Sequence, residues 1–229
     1  MMYAIFASAI IAAYLLGSIP FGLVIAKAHG KDLRSIGSGN IGATNVGRAL
    51  GKKWGYICFL LDVLKGLIPM QVTMFFIKTA LHTEAHPQRV VLLWLWLAVG
   101  IAAILGHIFP IYLKFKGGKG VATSFGVALG LWPYYTICGL LAVAIWVAVV
   151  LVWRYVSLAS IVASVAFPLL LLLAIILFPT WDVVDLSPLL IAAAAIPLIV
   201  IIRHRENIKR LVAGTESKVQ KSRPKMSTE

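Results

Sequence analysis

Long apolar stretches alternate with short polar segments along the whole chain. The uncharged stretches cover residues 1–26, 90–113, 121–153, 155–181 and 186–202, and a sixth at 54–77 contains Asp62 and Lys65. A helix needs about 20 apolar residues to cross a hydrocarbon core about 30 Å thick. With 61% hydrophobic residues, the sequence also lies outside the range of soluble domains. It therefore predicts an all-α, polytopic helical membrane protein.

Basic residues are concentrated in three connections, at 27–53, 114–119 and 203–229, whereas 78–89 and 178–187 contain few. The positive-inside rule places the three basic connections in the cytoplasm and the other two outside. The stretch 121–153 must then begin and end inside, and Gly130 and Pro133 favour a break near Trp132. We therefore predict seven transmembrane helices, the one after Gly120 short or only partly spanning, with the N terminus outside and the C terminus cytoplasmic. Residues 1–216 should form a single domain, and 217–229 a disordered basic cytoplasmic tail.

Two glycine-rich runs are candidate anion sites. Glycines at 37–45 allow successive backbone N–H groups to form a nest that binds anions. The second run places Lys119 before a helix starting near Val121, where free N–H groups suit phosphate oxygens. It is not a Walker A motif, because the four-residue spacer and the Lys-Ser/Thr pair are missing. The candidate phosphate-binding residues of the two runs are Gly37, Ser38, Gly39, Asn40, Gly42, Thr44, Asn45, Gly117, Gly118, Lys119, Gly120 and Thr123.

A third polar segment follows the last apolar stretch. His204 and Asn207 are three residues apart and share a face if the segment is helical. Histidine can exchange a proton near neutral pH, and asparagine can orient a hydroxyl or a phosphate. Ser157 begins a helix on the same predicted side, where it could cap that helix or donate to an anion. Basic residues here would also suit lipid headgroups.

Two charged residues and one histidine fall within the apolar stretches. Asp62 and Lys65 are three residues apart, and charges inside a membrane are costly unless they pair or face a polar cavity. The sequence leaves open whether they form a structural pair or line a substrate cavity. His107 lies at the predicted cytoplasmic end of its helix and reads as an interfacial histidine. Cys58 and Cys138 are expected to be core residues rather than a disulfide.

Several reaction classes are disfavoured. The chain has no cluster of carboxylates for Mg²⁺ and no His/Cys cluster for zinc, so we expect neither a metal nor a cofactor. None of the five histidines is followed five positions later by Asp, so the His-x4-Asp signature of many glycerolipid acyltransferases is missing.

The runs at 35–45, 117–123 and 204–211 together resemble the bacterial acyl-phosphate:glycerol-3-phosphate acyltransferase family, and 17–22 and 154–160 match its pattern as well. The similarity covers nearly the whole chain. The resemblance implies an enzyme of the bacterial plasma (inner) membrane with its active site on the cytoplasmic side. It would transfer an acyl group from acyl phosphate to the 1-hydroxyl of sn-glycerol 3-phosphate, releasing lysophosphatidate and phosphate. Membrane lipids, and a soluble enzyme that makes acyl phosphate, are the implied partners. No nucleic acid is expected.

By the same resemblance, Ser38, Arg48 and Lys119 are the leading phosphate contacts. His204 and Asn207 would orient substrate or assist proton removal, and a substrate phosphate is an alternative base. Glu206 and Glu216 are interpreted as braces for the arginines. Two rival functions remain, a transporter of phosphorylated metabolites and a non-catalytic anchor for anionic lipid.

Overall fold

The computed structural model describes residues 2–83 and 86–219, and within these ranges it contains helices and no strands. The helices are α1 (Met2–Gly17), α2 (Phe21–Ala28), α3 (Ala43–Leu50), α4 (Lys52–Thr83), α5 (His86–Ile108), α6 (Val121–Gly130), α7 (Tyr134–Trp153), α8 (Val156–Leu177), α9 (Ser187–Arg203) and α10 (Arg205–Val212). A short 3₁₀ turn, Ile111–Leu113, follows α5. The all-α prediction is confirmed for this part of the chain.

Five helical segments of the described chain are long and apolar enough to cross a membrane. They are Tyr3–Ala28, Lys52–Lys78, Gln88–Leu113, Tyr134–Trp153 and Val156–Leu177. Helix α9 and the amphipathic α10, which meet at a bend of 62°, together form a sixth candidate. These segments support a multi-pass membrane protein.

The stretch 121–153 is divided as predicted, into the 10-residue α6 and the 20-residue α7. At 1.5 Å per residue α6 is about 15 Å long, half of what a bilayer core requires. Pro133, which has no N–H to donate to the preceding turn, stands immediately before α7. The first stretch forms one candidate span, Tyr3–Ala28, that contains two helices, because α1 ends at Gly17 and α2 begins after Pro20.

Helix α6 is held against α4 by backbone contact. A Cβ added to Gly66 would lie 2.3 Å from the Thr123 carbonyl oxygen, and one added to Gly126 would lie 2.0 Å from that of Val63. Small residues allow this close approach, which is the usual means of helix packing in membranes. The short helix that follows Lys119 is therefore fixed to a long helix of the bundle.

The tail predicted to be disordered, 217–229, is described only as far as residue 219. Val219 donates its backbone N–H to the Arg154 carbonyl at 2.8 Å and accepts from the Arg154 guanidinium at 2.7 Å. The Ser217 carbonyl accepts from Arg48 at 3.4 Å. Residues 220–229 lie outside the described residues.

Candidate active site

The glycine loop between α2 and α3 is organised around one buried side chain. Asn45, 1% exposed, donates from Nδ2 to the carbonyls of Leu33 and Ile36 at 3.0 and 2.9 Å. Its Oδ1 accepts the backbone N–H of Ser38 at 3.1 Å. Asn45 therefore stabilises the loop from its buried side. The structure places Asn45 in a supporting position rather than facing a substrate as expected.

The loop owes its sharp curvature to backbone that other residues rarely adopt. Gly37 and Gly39 have φ angles of +58° and +66°, in the left-handed region that glycine tolerates. Asn40 closes the next turn by accepting the N–H of Gly42 at 2.9 Å. Ser38 is exposed on the loop and Thr44 is exposed in the first turn of α3, so both side chains are accessible to a ligand.

The second glycine run is pinned to the end of α5 and to α9. Gly117 and Gly118 donate their N–H groups to the carbonyls of Ile108 and His107 at 3.2 and 3.1 Å. Arg203 donates to the Gly118 carbonyl at 2.7 Å. Gly120, with φ of +82°, turns the chain into α6. Lys119 is thus presented at the start of α6, while Thr123 is fully buried one turn further on.

A hydrogen-bonded cluster joins Lys119 to three distant segments. Lys119 Nζ donates to Asn207 Oδ1, and Asn207 Nδ2 donates to Glu216 Oε1 at 2.7 Å. The same Oε1 accepts the Ser157 hydroxyl at 2.9 Å, and Oε2 accepts from Arg210 Nε at 2.8 Å. Residues of α8 and α10 therefore meet at the Glu216 carboxylate of the C-terminal segment, and Asn207 links Lys119, just before α6, to it.

Lys119 lies in a site with an excess of positive charge. Burial lowers the pKa of Lys119 to about 8, and only the Glu216 carboxylate opposes that effect. The guanidinium groups of Arg210, Arg203 and Arg48 act in the same direction as burial. Phosphate oxygens would relieve the mutual repulsion of these cations. The electrostatics therefore favour an anionic ligand.

Glu216 stays ionised at this site. Burial alone would raise its pKa, but hydrogen bonds from Arg210, Asn207 and Ser157 lower it overall. The contact with Arg210 agrees with the interpretation that Glu216 holds an arginine in place. Glu206 contacts only exposed partners, Arg205 at 3.5 Å and Lys209 at 3.6 Å.

His204 and Asn207 share the inward face of the last bend, as the spacing predicted, and both are buried. His204 Nδ1 lies 2.8 Å from the Val200 carbonyl, so it donates there and leaves Nε2 as an acceptor. Burial and the Lys119 cation lower the pKa of His204 to about 4. The imidazole is therefore neutral at pH 7 and is a weaker base than its residue type suggested.

A cavity of about 350 Å³ separates the two glycine runs. Its lining residues are Arg34, Gly39, Ile41, Phe115, Lys116, Gly117 and Arg203. Arg34 spans it by donating to the Lys116 carbonyl at 3.1 Å. Sequence reasoning did not select Arg34, Lys116 or Arg203 as site residues, because each reads as part of a basic membrane flank.

In the structure Lys119, Asn207 and Ser157 belong to one hydrogen-bonded cluster. The charge of Arg48 also acts on this cluster, because it lowers the pKa of Lys119. Ser38 remains on the facing loop. Among residues 2–83 and 86–219, no three His, Cys, Asp or Glu side chains lie close enough to share a metal ion.

The chain is similar to known proteins over most of its length. A family model described as glycerol-3-phosphate acyltransferase matches residues 7–214. A glycerol-3-phosphate acyltransferase of Geotalea daltonii is 47% identical over 210 residues, covering 91% of this chain and 94% of that protein. One from Aquifex aeolicus is 45% identical over 209 residues, covering 90% and 95%.

Two solved structures share the fold. The crystal structure of PlsY (YgiH), an integral membrane glycerol 3-phosphate acyltransferase, in its glycerol 3-phosphate form has a TM-score of 0.77 and 42% identity, covering 94% of this chain and 96% of that one. The lysophosphatidic acid form of the same protein has a TM-score of 0.75.

Proposed function

The chain belongs to the glycerol-3-phosphate acyltransferase family, and from this premise we propose that its acyl donor is acyl phosphate. The acyl group is transferred to the 1-hydroxyl of sn-glycerol 3-phosphate, and the products are 1-acylglycerol 3-phosphate and inorganic phosphate. Two phosphates must therefore be held side by side. The observation that carries this proposal is the cation-rich site around Lys119, in which Arg48, Arg203 and Arg210 are opposed by the single carboxylate of Glu216.

The proposed chemistry requires little beyond alignment. Acyl phosphate is a mixed anhydride with a good leaving group, so the hydroxyl oxygen can attack the carbonyl carbon directly. The new ester bond forms, the bond between the acyl carbon and the phosphate oxygen breaks, and the departing phosphate takes the electron pair. Holding both reactants in line and stabilising the developing charge supply most of the rate. Ser38, Arg48 and Lys119 are the proposed phosphate contacts.

The hydroxyl proton is assigned to a substrate phosphate rather than to His204. Burial and the Lys119 cation lower the pKa of His204 to about 4, which makes it a poor proton acceptor at pH 7, and a phosphate ester, with a second pKa near 6 in water, is the alternative. His204 Nε2 is free to accept a hydrogen bond and would orient the hydroxyl. Asn207, fixed between Lys119 and Glu216, would keep Lys119 aimed at its phosphate.

The proposed topology has seven membrane segments including the short α6, with the N terminus outside and the C terminus and active site in the cytoplasm. The membrane is the bacterial inner membrane, where a soluble enzyme that makes acyl phosphate would deliver the donor. Because Cys58 and Cys138 are buried, single cysteines placed at Lys31 and Val183 can report sidedness. An impermeant maleimide should label Val183→Cys in intact cells and Lys31→Cys only after lysis. The opposite pattern would invert the topology.

The function is tested with the purified protein, palmitoyl phosphate and glycerol 3-phosphate, scored for lysophosphatidate. Palmitoyl-CoA and palmitoyl acyl carrier protein replace the donor in parallel, and only palmitoyl phosphate should give product. Product from a thioester donor alone would overturn the choice of donor. Ser38→Ala and Lys119→Ala should lose most activity while remaining folded, and full activity in both would remove them from the site.

The rival transporter function is tested by loading the same preparation into liposomes. Uptake of labelled glycerol 3-phosphate without ester formation would favour transport. In the described residues the three polar segments are joined by hydrogen bonds. Arg34 links the first glycine loop to the second run, and Lys119 and Arg203 link the second run to the last bend. That convergence favours an enzyme acting at one membrane face.

A further inference from the structure

Two oppositely charged side chains and a histidine lie buried inside the helical bundle, outside the cluster around Glu216. Asp62 and Lys65 on α4 are each 2% exposed, and His107 on α5 is 5% exposed. Lys65 Nζ lies 2.7 Å from Asp62 Oδ1, and His107 Nδ1 lies 3.6 Å from the same oxygen. Their burial favours the structural pair over the lining of a substrate cavity.

Lys65 connects this group to the first glycine loop. Its ammonium donates to the Ile19 carbonyl at 2.9 Å, in the turn that separates α1 from α2. Helix α2 then abuts the loop directly, because a Cβ added to Gly22 would lie 1.9 Å from the Ile41 carbonyl oxygen. The position of Lys65 is thus transmitted through one turn and one backbone contact to the loop that carries Ser38.

Asp62 connects the same group to the second glycine run through His107. The His107 carbonyl accepts the Gly118 N–H at 3.1 Å. Its ring packs against the Gly118 backbone so closely that an added Cβ would lie 2.2 Å from Nε2. Gly118 immediately precedes Lys119, so displacement of the imidazole would move the lysine.

We propose that Asp62, Lys65 and His107 are positioning residues that fix the two glycine loops relative to each other. A buried ion pair is costly to desolvate, and apolar residues of similar volume often replace one with no loss of stability. Its value here is geometric, because Lys65 is hydrogen-bonded towards the first loop while Asp62 lies 3.6 Å from the histidine that packs on the second. A misplacement of about 1 Å between reacting groups can lower a rate about 100-fold. The inference deepens the proposed function by stating what sets the distance between donor and acceptor.

The first test replaces the pair by apolar residues, Asp62→Leu/Lys65→Met, which leaves neither charge unpaired. The expected result is a folded protein whose kcat falls 10- to 100-fold while KM for each substrate stays within about threefold. A kcat within twofold of the parent, or a loss confined to KM, would overturn the proposal. If the double variant does not fold, kcat and KM are measured for His107→Gln instead, and the same limits apply.

Trp96→Phe is the matched control. Trp96 Nε1 donates to the Met70 carbonyl at 3.1 Å. The substitution therefore removes a different buried contact between α5 and α4. It should lower thermal stability with kcat unchanged. An equal fall in kcat would mean that any damage to the α4–α5 interface suffices, and would also overturn the proposal.

A distance measurement separates this inference from the proposed reaction. Spin labels at Ser35→Cys and Lys114→Cys, both exposed positions, should give a narrow distance distribution in the otherwise unaltered protein. The distribution should broaden or shift in Asp62→Leu/Lys65→Met. An unchanged distribution refutes the positioning role even if activity falls. A broadened one supports it even if the parent fails to use acyl phosphate.

Discussion

Raising the pH through 8 is expected to weaken the binding of glycerol 3-phosphate, because Lys119 loses its proton in that range. Burial lowers the pKa of this lysine to about 8 in the free protein. Below that pH the ammonium is present and can pair with the phosphate, and above it the amine is neutral. The ligand is dianionic throughout, since a phosphate ester has its second pKa near 6. The change must therefore come from the protein.

The size of the effect follows from the fraction of charged lysine. At pH 9, one unit above a pKa of about 8, only about one-tenth of Lys119 remains protonated. If the neutral form does not bind the phosphate, the Kd should be about tenfold higher at pH 9 than at pH 7. By linkage, binding at pH 9 should take up close to one proton.

The measurement is isothermal titration calorimetry of glycerol 3-phosphate at pH 7, 8 and 9, in two buffers of different ionisation enthalpy. The difference between the buffers gives the number of protons taken up. Lys119→Arg is the control, because its guanidinium keeps its charge over this range. Its Kd should be higher at pH 7 if the geometry is imperfect, but the dependence on pH between 7 and 9 should be lost.

Two results would refute this reasoning. A Kd that is constant from pH 7 to 9, with no proton uptake, would mean that Lys119 stays charged or does not touch the phosphate. A kcat/KM that rises with pH and levels off near 8, and that loses this rise in Lys119→Arg, would identify the neutral lysine as a base. That outcome would replace the phosphate as proton acceptor.

Three further outcomes follow from contacts at the same site. Glu216→Gln should shift the rise in Kd to lower pH, because the carboxylate raises the pKa of Lys119; the same calorimetry checks it, and an unmoved profile would contradict it. Asn45→Ala should lower the free energy of unfolding by about 3 kcal/mol, since three loop hydrogen bonds at about 1 kcal/mol each are lost; an unchanged denaturant or thermal midpoint would count against the supporting role. Gly118→Ala should lower kcat more than tenfold by displacing His107, whereas Gly47→Ala, whose added Cβ meets nothing closer than 3.7 Å, should not; equal activity of the two variants would be the contrary result.

The membrane segments could be predicted because their signal is local. Apolar length identifies a span without knowledge of its neighbours, and Gly130 with Pro133 marked the break between α6 and α7. The interruption after Gly17 has no such clear signal, because residues 1–26 are uncharged throughout and only Pro20 marks it.

Residue roles at the site were harder to predict because the side chains that support a loop are of the same types as those that bind a ligand. Asn45 occupies a glycine-rich polar run, and only its burial shows that both its donors are used within the loop. Glu216 is the opposite case. No spacing relates it to Ser157 or Lys119, since the C-terminal segment must first fold back before they meet.

The role of the buried charges Asp62 and Lys65 could not be predicted, because it depends on contacts between distant segments of the chain. The first loop is attached to α2 and α3 and the second to α5 and α6, so no local pattern sets the distance between them. In our proposal that distance is set from α4, where Lys65 contacts the turn before α2 and Asp62 lies beside His107 of α5. A reaction with a good leaving group gains most of its rate from alignment. Selection for alignment would then act on residues that never touch substrate, and buried charges would persist in a membrane despite their desolvation cost.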